Sequence, residues 1–476
     1  MEESLKKQTK QGVVWSAVQR FSTQGIQFVT TIIMARMLTP ADYGVVGMLD
    51  IFIAILSVFV DSGFINALTR KNDRTHSDIC TVFFFNIIVS FIAYCILFLI
   101  APFVASFYAI PKLKIILRIL GLIVIIDSFA AVQMTLMTIK LNFKIQTYIS
   151  TISLIISGTI GIILAYMDFT YWALVVQTLM YGIISTSLYW FYSTWRPSLI
   201  FSKKSFNELF SFGSKVLATS LIDSTYNNLY TLVIGKVFSA SVLGNYSRAN
   251  SYANLPSSNI TSIMQRVTYP VLCKIQDDDE TLSETYRKLI RMSAFIIFPL
   301  MTGLSALAHP FILIILGTKW SMCAVMLQIL CFALMWYPIH AININLLLVK
   351  GRSDLNLRIE IIKKVISVII LCIAVPMGIM ALCYSRIISS IISLFINTYY
   401  TGKLINLGFT HQMKDLSPTL SIALVMWGVI ILAITLTDNI FIQMIIGILS
   451  GAITYISISY IFNRKEFYSF ISHIHQ

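Results

Sequence analysis

The chain has 476 residues, 57% of them hydrophobic and 12% charged, with a net charge of +14. Its mean hydropathy of +0.80 means more apolar surface than a soluble core of this length can bury, which excludes a water-soluble globular protein. Apolar stretches of about 20 residues, the length needed to cross a bilayer, recur from end to end, and the expected class is an all-α polytopic membrane protein.

About fourteen transmembrane helices are predicted. They centre near residues 26, 53, 91, 125, 155, 182, 222, 254, 298, 334, 368, 390, 427 and 450. The eleventh and twelfth are divided only by Pro376 and Gly378. The N-terminal stretch MEESLKKQTKQG has the charge of a signal-peptide leader, but no small-residue cleavage site follows, so the first helix is expected to be retained. Pro256, Pro299, Pro338 and Pro376 are expected to bend helices eight to eleven.

Bases alternate along the chain. Lys6, Lys7 and Lys10 precede the first helix; Arg70, Lys71 and Arg74 follow the second; Lys140 and Lys144 the fourth; Arg196, Lys203 and Lys204 the sixth. Lys274, Arg287, Lys288 and Arg291, then Lys350, Arg352, Arg358, Lys363 and Lys364, then Lys403 and Lys414, then Arg464 and Lys465 continue the pattern. By the positive-inside rule both termini are cytoplasmic. Positions near Arg74, Lys204, Lys274, Lys403 and Gln476 then face the cytoplasm, and those near Ala41, Asp168, Ser241 and Asp438 the other side. The positive charge thus reflects topology and attraction to an anionic leaflet, and no nucleic-acid binding is read from it.

One segment is written twice. TIIMARMLTPADYG at residues 31–44 returns as TLVIGKVFSASVLG at residues 231–244: Thr31 matches Thr231, Arg36 Lys236, Thr39 Ser239 and Gly44 Gly244. Six helices separate the copies, so both enter the membrane from the same side and the halves are related by an axis along the membrane normal. This predicts two pseudo-symmetric six-helix lobes around a central cavity, residues 1–200 and 201–400, with helices 13 and 14 appended over residues 401–476. Residues 196–210 read as an amphipathic interlobe segment on the membrane surface.

Polar positions recur every three or four residues on particular helices. Helix one carries Ser16, Gln19, Arg20, Thr23, Gln24, Gln27, Thr30 and Thr31; helix seven carries Thr219, Asp223, Ser224, Asn227, Asn228 and Thr231. Helix eight adds Ser247, Asn250, Asn254, Ser257, Ser258, Thr261 and Gln265, and helix two adds Asp50, Ser57 and Asp61. Hydroxyl stripes alone fit hydrogen-bonded seams between helices. Ionisable residues point further, because a charge at mid-bilayer costs about 2.5–3.5 kcal/mol on the lenient insertion scale and so faces a cavity or a partner. Arg20, Asp50, Asp61, Asp127, Lys215, Asp223, Arg248 and Arg386 all fall within apolar spans. An interfacial position explains Asp61 and Lys215 equally well. Tyr226, Tyr230, Tyr246 and Tyr252 lie on or near the stripes, where an aromatic in a membrane helix commonly packs.

Seven isolated cysteines without CxxC spacing give no disulfide framework and no metal site. His473 and His475 in the tail are read as solvated. The acidic run Asp277, Asp278, Asp279, Glu280 reads as a solvated face of a cytoplasmic loop. No phosphate loop, nucleophile–base pair or metal spacing occurs, so neither a catalytic residue nor a cofactor is assigned and the chain is not expected to be an enzyme.

Several segments carry a family resemblance: ARMLTPADYGVVGML, VDSGFINALTRKNDRTHSD, LNFK, WRPSLIFSKKSFNELFSFGSKVL, IGKVFSASVLGNYSRA, RVTYPVLCKIQDDDE and VKGRSDLNLRIEIIKK. Together they resemble the polysaccharide transporter family of the multidrug/oligosaccharidyl-lipid/polysaccharide exporter superfamily, in particular its Wzx type. The resemblance covers nearly the whole chain. It implies a bacterial inner-membrane flippase that carries an undecaprenyl-diphosphate-linked oligosaccharide to the periplasmic leaflet by alternating access. It also implies a basic cavity, which in this sequence falls to Arg20, Arg248 and Arg386, since guanidinium matches phosphate oxygens and stays charged when buried. Gln24, Gln27, Ser224, Asn227, Asn250 and Asn254 are the candidate glycan contacts. Asp50, Asp61, Asp127 and Asp223 are candidates for pairing with the arginines or coupling to an ion. Implied partners are the lipid-linked oligosaccharide, membrane lipids, and the polymerase and glycosyltransferases of the same pathway. A cation-coupled drug antiporter of the same superfamily, and a membrane glycan polymerase or ligase, remain the alternative classes.

Overall fold

The computed structural model describes residues 2–61, 63–71 and 73–468, the side chains of residues 2–13 and of Asp61 excepted. Gln476, His473 and His475 lie outside the described residues. The α-helices in order are α1 (Glu2–Met37), α2 (Pro40–Asp61), α3 (Phe64–Arg70), α4 (His76–Tyr108), α5 (Leu113–Leu120), α6 (Leu122–Ile139), α7 (Phe143–Tyr166), α8 (Tyr171–Tyr192) and α9 (Lys203–Val237). They continue with α10 (Ala240–Lys274), α11 (Asp279–Ala306), α12 (Ala308–Ile315), α13 (Ser321–Leu334), α14 (Tyr337–Val349), α15 (Ser353–Ala374), α16 (Ile379–Ile405), α17 (Phe409–Ile434) and α18 (Ile440–Phe462). No described residue lies in a strand.

Ten segments are long and apolar enough to cross a membrane by length and composition, with α2 and α3, α5 and α6, and α13 and α14 each forming one segment. Composition alone therefore supports ten crossings among the described residues, not the fourteen expected. The difference falls on α1, α9, α10 and α15, which have 36, 35, 35 and 22 residues. The first three carry the polar stripes, and α15 carries Asp354, Arg358, Glu360, Lys363 and Lys364. Elsewhere apolar side chains point outward: Phe103 is 73% exposed on α4 and Leu432 69% on α17, as lipid-facing positions should be.

Several expectations about the connections change. Pro256 and Pro299 lie inside α10 and α11, but Pro338 sits in the first turn of α14 and Pro376 in the short 3-10 turn before α16. At those two places the missing N–H costs nothing, so the prolines start helices and do not bend them. Within residues 196–210, the stretch to residue 202 is irregular, and 203–210 begin α9, which runs unbroken to Val237. Ser202 caps that start, accepting from Ser205 N at 3.2 Å. Within the acidic run, Asp278 caps α11 by accepting from the backbone N–H groups of Glu280 and Thr281, both at 3.1 Å. The Thr281 hydroxyl, which donates to the other carboxylate oxygen at 2.6 Å, and with it these backbone bonds hold the Asp278 carboxyl below the usual range. Asp279 pairs with Lys350 at 2.6 Å. Arg287, Lys288 and Arg291 belong to α11, and Arg358, Lys363 and Lys364 to α15, instead of to loops.

The chain divides into two compact units, residues 1–244 and 245–476. In the first, α1 packs on α7, α7 on α8, α6 on α4 and α8, and α9 on α2, α3 and α4. In the second, α17 packs on α11 and α18, and α16 on α13 and α15. The α17–α18 seam is a small-residue one: a Cβ on Gly447 would meet Ile430 Cγ2 and Ile434 Cγ2 at 3.3 Å, and one on Gly451 would meet Ile430 Cδ1 at 2.7 Å. Helix backbones approach closely in membranes through such glycines.

Candidate functional site

The repeated segment forms the same corner twice. Thr39 and Ser239 each follow the end of a long helix and cap the next: Asp42 N donates to Thr39 Oγ1 at 3.3 Å, and Val242 N donates to Ser239 Oγ at 3.3 Å. The glycines five residues on are where the two helix starts cross. A Cβ on Gly44 would lie 1.7 Å from Ala240 O, and one on Gly244 would lie 1.8 Å from Pro40 O. The contact is reciprocal, as a two-fold relation between the copies requires. Lys236, which closes the second copy of the leading helix, donates through Nζ to Phe107 O in the last turn of α4, where a cation complements the helix dipole.

The polar stripe of α1 splits into a packed end and an open end. Thr30 is buried, and a Cβ on Gly158 of α7 would lie 3.0 Å from its side chain. Near the other end, Trp15 and Tyr148 of α7 are ring neighbours at 5.9 Å, with Lys144 over the Trp15 ring at 5.7 Å. Thr23 turns its hydroxyl back onto Gln19 O at 2.7 Å. Arg20 and Gln24 are half-buried and Gln27 is exposed. In α9, Ser224 is half-buried while Asp223 and Asn227 are exposed, and Asn228 donates to Ser224 O at 2.9 Å. Lys215 is exposed well inside α9, away from either end of that helix.

In the second unit the stripe of α10 divides likewise. Ser257 is fully buried and donates to Leu334 O at 2.8 Å, and Thr261 bonds Ser257 O at 2.7 Å. Asn245, one turn before the stripe, accepts from Cys323 N at 3.0 Å at the start of α13. These residues fasten α10 to its neighbours. Asn250 and Arg248 are half-buried and Asn254 is exposed. Arg386 of α16 is half-buried as well.

Among the aspartates, Asp50 is exposed on α2, and Asp127 is exposed on α6 beside Tyr181 and Gly182 of α8. Asp61 closes α2, but its side chain lies outside the described residues. Arg20, Gln24, Asp50, Asp127, Asp223, Arg248 and Arg386 all take part in polar, ring or electrostatic contacts.

A polar network that sequence reasoning missed lies in the second unit. Asn343 Oδ1 accepts from Thr401 Oγ1 at 2.8 Å and Gln412 Nε2 at 3.1 Å, and Gln412 Nε2 also donates to Tyr286 OH at 3.1 Å. One turn away on α14, the His340 ring lies 3.2 Å from Ser390 Oγ and 3.3 Å from Asn397 Nδ2. The network ties α11, α14, α16 and α17. Asn343 falls in a mostly apolar run, but Tyr286, Thr401 and Gln412 lie among polar or charged neighbours, so nothing in the sequence singles the network out.

Taken together, these features define a multi-pass all-α membrane protein whose open polar positions are concentrated on a few long helices. The chain belongs to the family described as "Polysaccharide biosynthesis protein", whose match spans residues 33–325. It is 25% identical over 462 residues to the teichuronic acid biosynthesis protein TuaB of Bacillus subtilis, covering 95% of each chain. It is 26% identical over 372 residues to the lipopolysaccharide biosynthesis protein WzxC of Escherichia coli, covering 76% of this chain and 74% of that one. The fold matches the lipid II flippase MurJ in an inward closed conformation, with a TM-score of 0.76 at 16% identity over 95% of this chain and 99% of that one.

Proposed function

We propose that the protein is a flippase that moves an undecaprenyl-diphosphate-linked oligosaccharide, a repeat unit of a cell-surface polysaccharide, from the cytoplasmic to the periplasmic leaflet of a bacterial inner membrane. The observation that carries this reading is the division of the stripes. Part of the stripes on α1 and α10 is buried in helix packing, and the half-buried and exposed stripe positions on α1, α9 and α10 carry amide, hydroxyl and guanidinium groups, with the carboxylate of Asp223 beside them. Such groups suit a hydrated glycan and a diphosphate. Arg20, Arg248 and Arg386 take the diphosphate, because a planar fork of donors matches phosphate oxygens. Gln24, Gln27, Ser224, Asn227, Asn250 and Asn254 contact the glycan. Membership of a polysaccharide biosynthesis family supports the cargo class.

The work is translocation without bond making, so no catalytic group and no cofactor is called for. Alternating access presents the headgroup first to one side of the membrane and then to the other, through two six-helix lobes in a chain of fourteen crossings with both termini cytoplasmic. Partners are membrane lipids and the polymerase and glycosyltransferases of the same pathway. Transfer of a lipid-linked oligosaccharide across proteoliposomes, dependent on the three arginines, tests the proposal.

A further inference from the structure

At one end of the second unit, the starts of α11 and α17 meet the residues that follow α18. Arg287 of α11 grips Asp415 of α17 through two bonds of 2.7 Å, and Arg291 lies 3.4 Å from Glu466. Asp415 is only 7% exposed and Glu466 12%, so both acids are already taken up by arginines. Together with Arg291, Lys414, Arg464 and Lys465 these two acids line a hollow of about 410 Å³, a size within the range of ligand pockets, about 300–1,000 Å³. A smaller adjoining hollow brings in Lys288. Among the described residues no carboxylate pairs with Lys288, Lys414 or Lys465. Bases are thus in excess around a concavity, which an ordinary ion-paired surface avoids.

The rim of the hollow says what kind of anion fits. Ile461 and Phe462 line it too, 58% and 76% exposed at the end of α18. An anionic group with an apolar chain attached satisfies both surfaces, whereas inorganic phosphate satisfies only the bases. We infer that this hollow binds the headgroup of an anionic phospholipid, with Lys414 and Lys465 on the phosphate and Ile461 and Phe462 against the acyl chain. The hollow shares no lining residue with Arg20, Arg248 and Arg386, and its occupancy does not depend on what the protein transports. Bases near a membrane surface attract anionic lipid in this way.

The test is native mass spectrometry of the full-length protein in neutral detergent, titrated with phosphatidylglycerol, phosphatidylcholine or inorganic phosphate. The expected result is one tightly held phosphatidylglycerol, no comparable phosphatidylcholine, and phosphatidylglycerol binding about tenfold weaker in Lys414→Gln/Lys465→Gln. Both lysines are exposed, so melting temperature should not change; Lys288→Gln alone should lower binding in the same direction. Lys140→Gln/Lys144→Gln removes the same charge from the first unit and should leave binding intact. Equal retention of the two lipids, equal binding by wild type and the Lys414/Lys465 variant, equal loss in the Lys140/Lys144 variant, or full displacement by millimolar inorganic phosphate would each overturn the inference.

Discussion

Gly44 and Gly244 hold equivalent places in two copies of one helix start, and each lies under the backbone carbonyl at which the other's helix begins, Ala240 for the first and Pro40 for the second. The contact is made by main chain on both sides, so no rotamer change can relieve an added side chain. Gly44→Ala and Gly244→Ala should therefore each destabilise the protein by at least about 1–3 kcal/mol, the usual cost of overpacking. Gly25→Ala, with nothing within 4 Å of its added Cβ, should be neutral or stabilising by about 0.5–1 kcal/mol through helix propensity. Thermal unfolding in detergent checks both; unchanged melting of the Gly44 and Gly244 variants would remove the crossing as the reason for the repeat.

That corner was legible in the sequence because its requirements are local: a hydroxyl to cap, a turn, and a glycine at a fixed distance. Polar stripes were legible only in part. Thr30, Ser257 and Thr261 share the period of Arg20 and Asn254, yet burial assigns them to helix seams, and period alone does not separate the two uses. Least legible was the network around Asn343 and Gln412, which joins residues of four helices through contacts made only on folding. Asp278 is exposed, as its place in the acidic run implies, but its further role as a cap was not legible because it depends on where α11 starts.

The buried network gives a second expectation. Gln412→Leu removes partners from Asn343 and Tyr286 inside a site with no water access, at about 1–3 kcal/mol. Asn343→Leu should cost a similar amount, and the double variant less than the sum, because the two side chains bond each other at 3.1 and 3.2 Å. A double-mutant cycle on thermal unfolding reads the coupling; strict additivity would mean the network stores none.

Orientation is tested by labelling. In a background lacking the seven native cysteines, Arg74→Cys should react only with reagent on the cytoplasmic side and Ser241→Cys only with reagent on the opposite side. Labelling of both from one side would reject the topology proposed from the bases.

The driving force gives a further prediction. A diphosphate carries roughly two negative charges, and outward movement in an inside-negative cell is downhill by about 2.3 kcal/mol per charge per 100 mV, or about 4–5 kcal/mol in all. Imposing a potassium–valinomycin potential at fixed pH without sodium should speed appearance of glycan at the positive face. No response to the potential, with a clear response to a proton or sodium gradient, would assign coupling to Asp50, Asp61, Asp127 or Asp223 instead.

The most direct measurement is transfer itself. Proteoliposomes containing the purified protein and an undecaprenyl-diphosphate-linked oligosaccharide should expose the glycan on the far leaflet, detected by a membrane-impermeant lectin or glycosidase. Arg20→Gln, Arg248→Gln and Arg386→Gln should each slow transfer by about tenfold or more, the loss of one charge-assisted hydrogen bond worth about 1.5–3 kcal/mol, while expression and melting temperature hold. Transfer at the wild-type rate in all three variants, or loss of all three from the membrane through misfolding, would contradict a diphosphate held by these arginines.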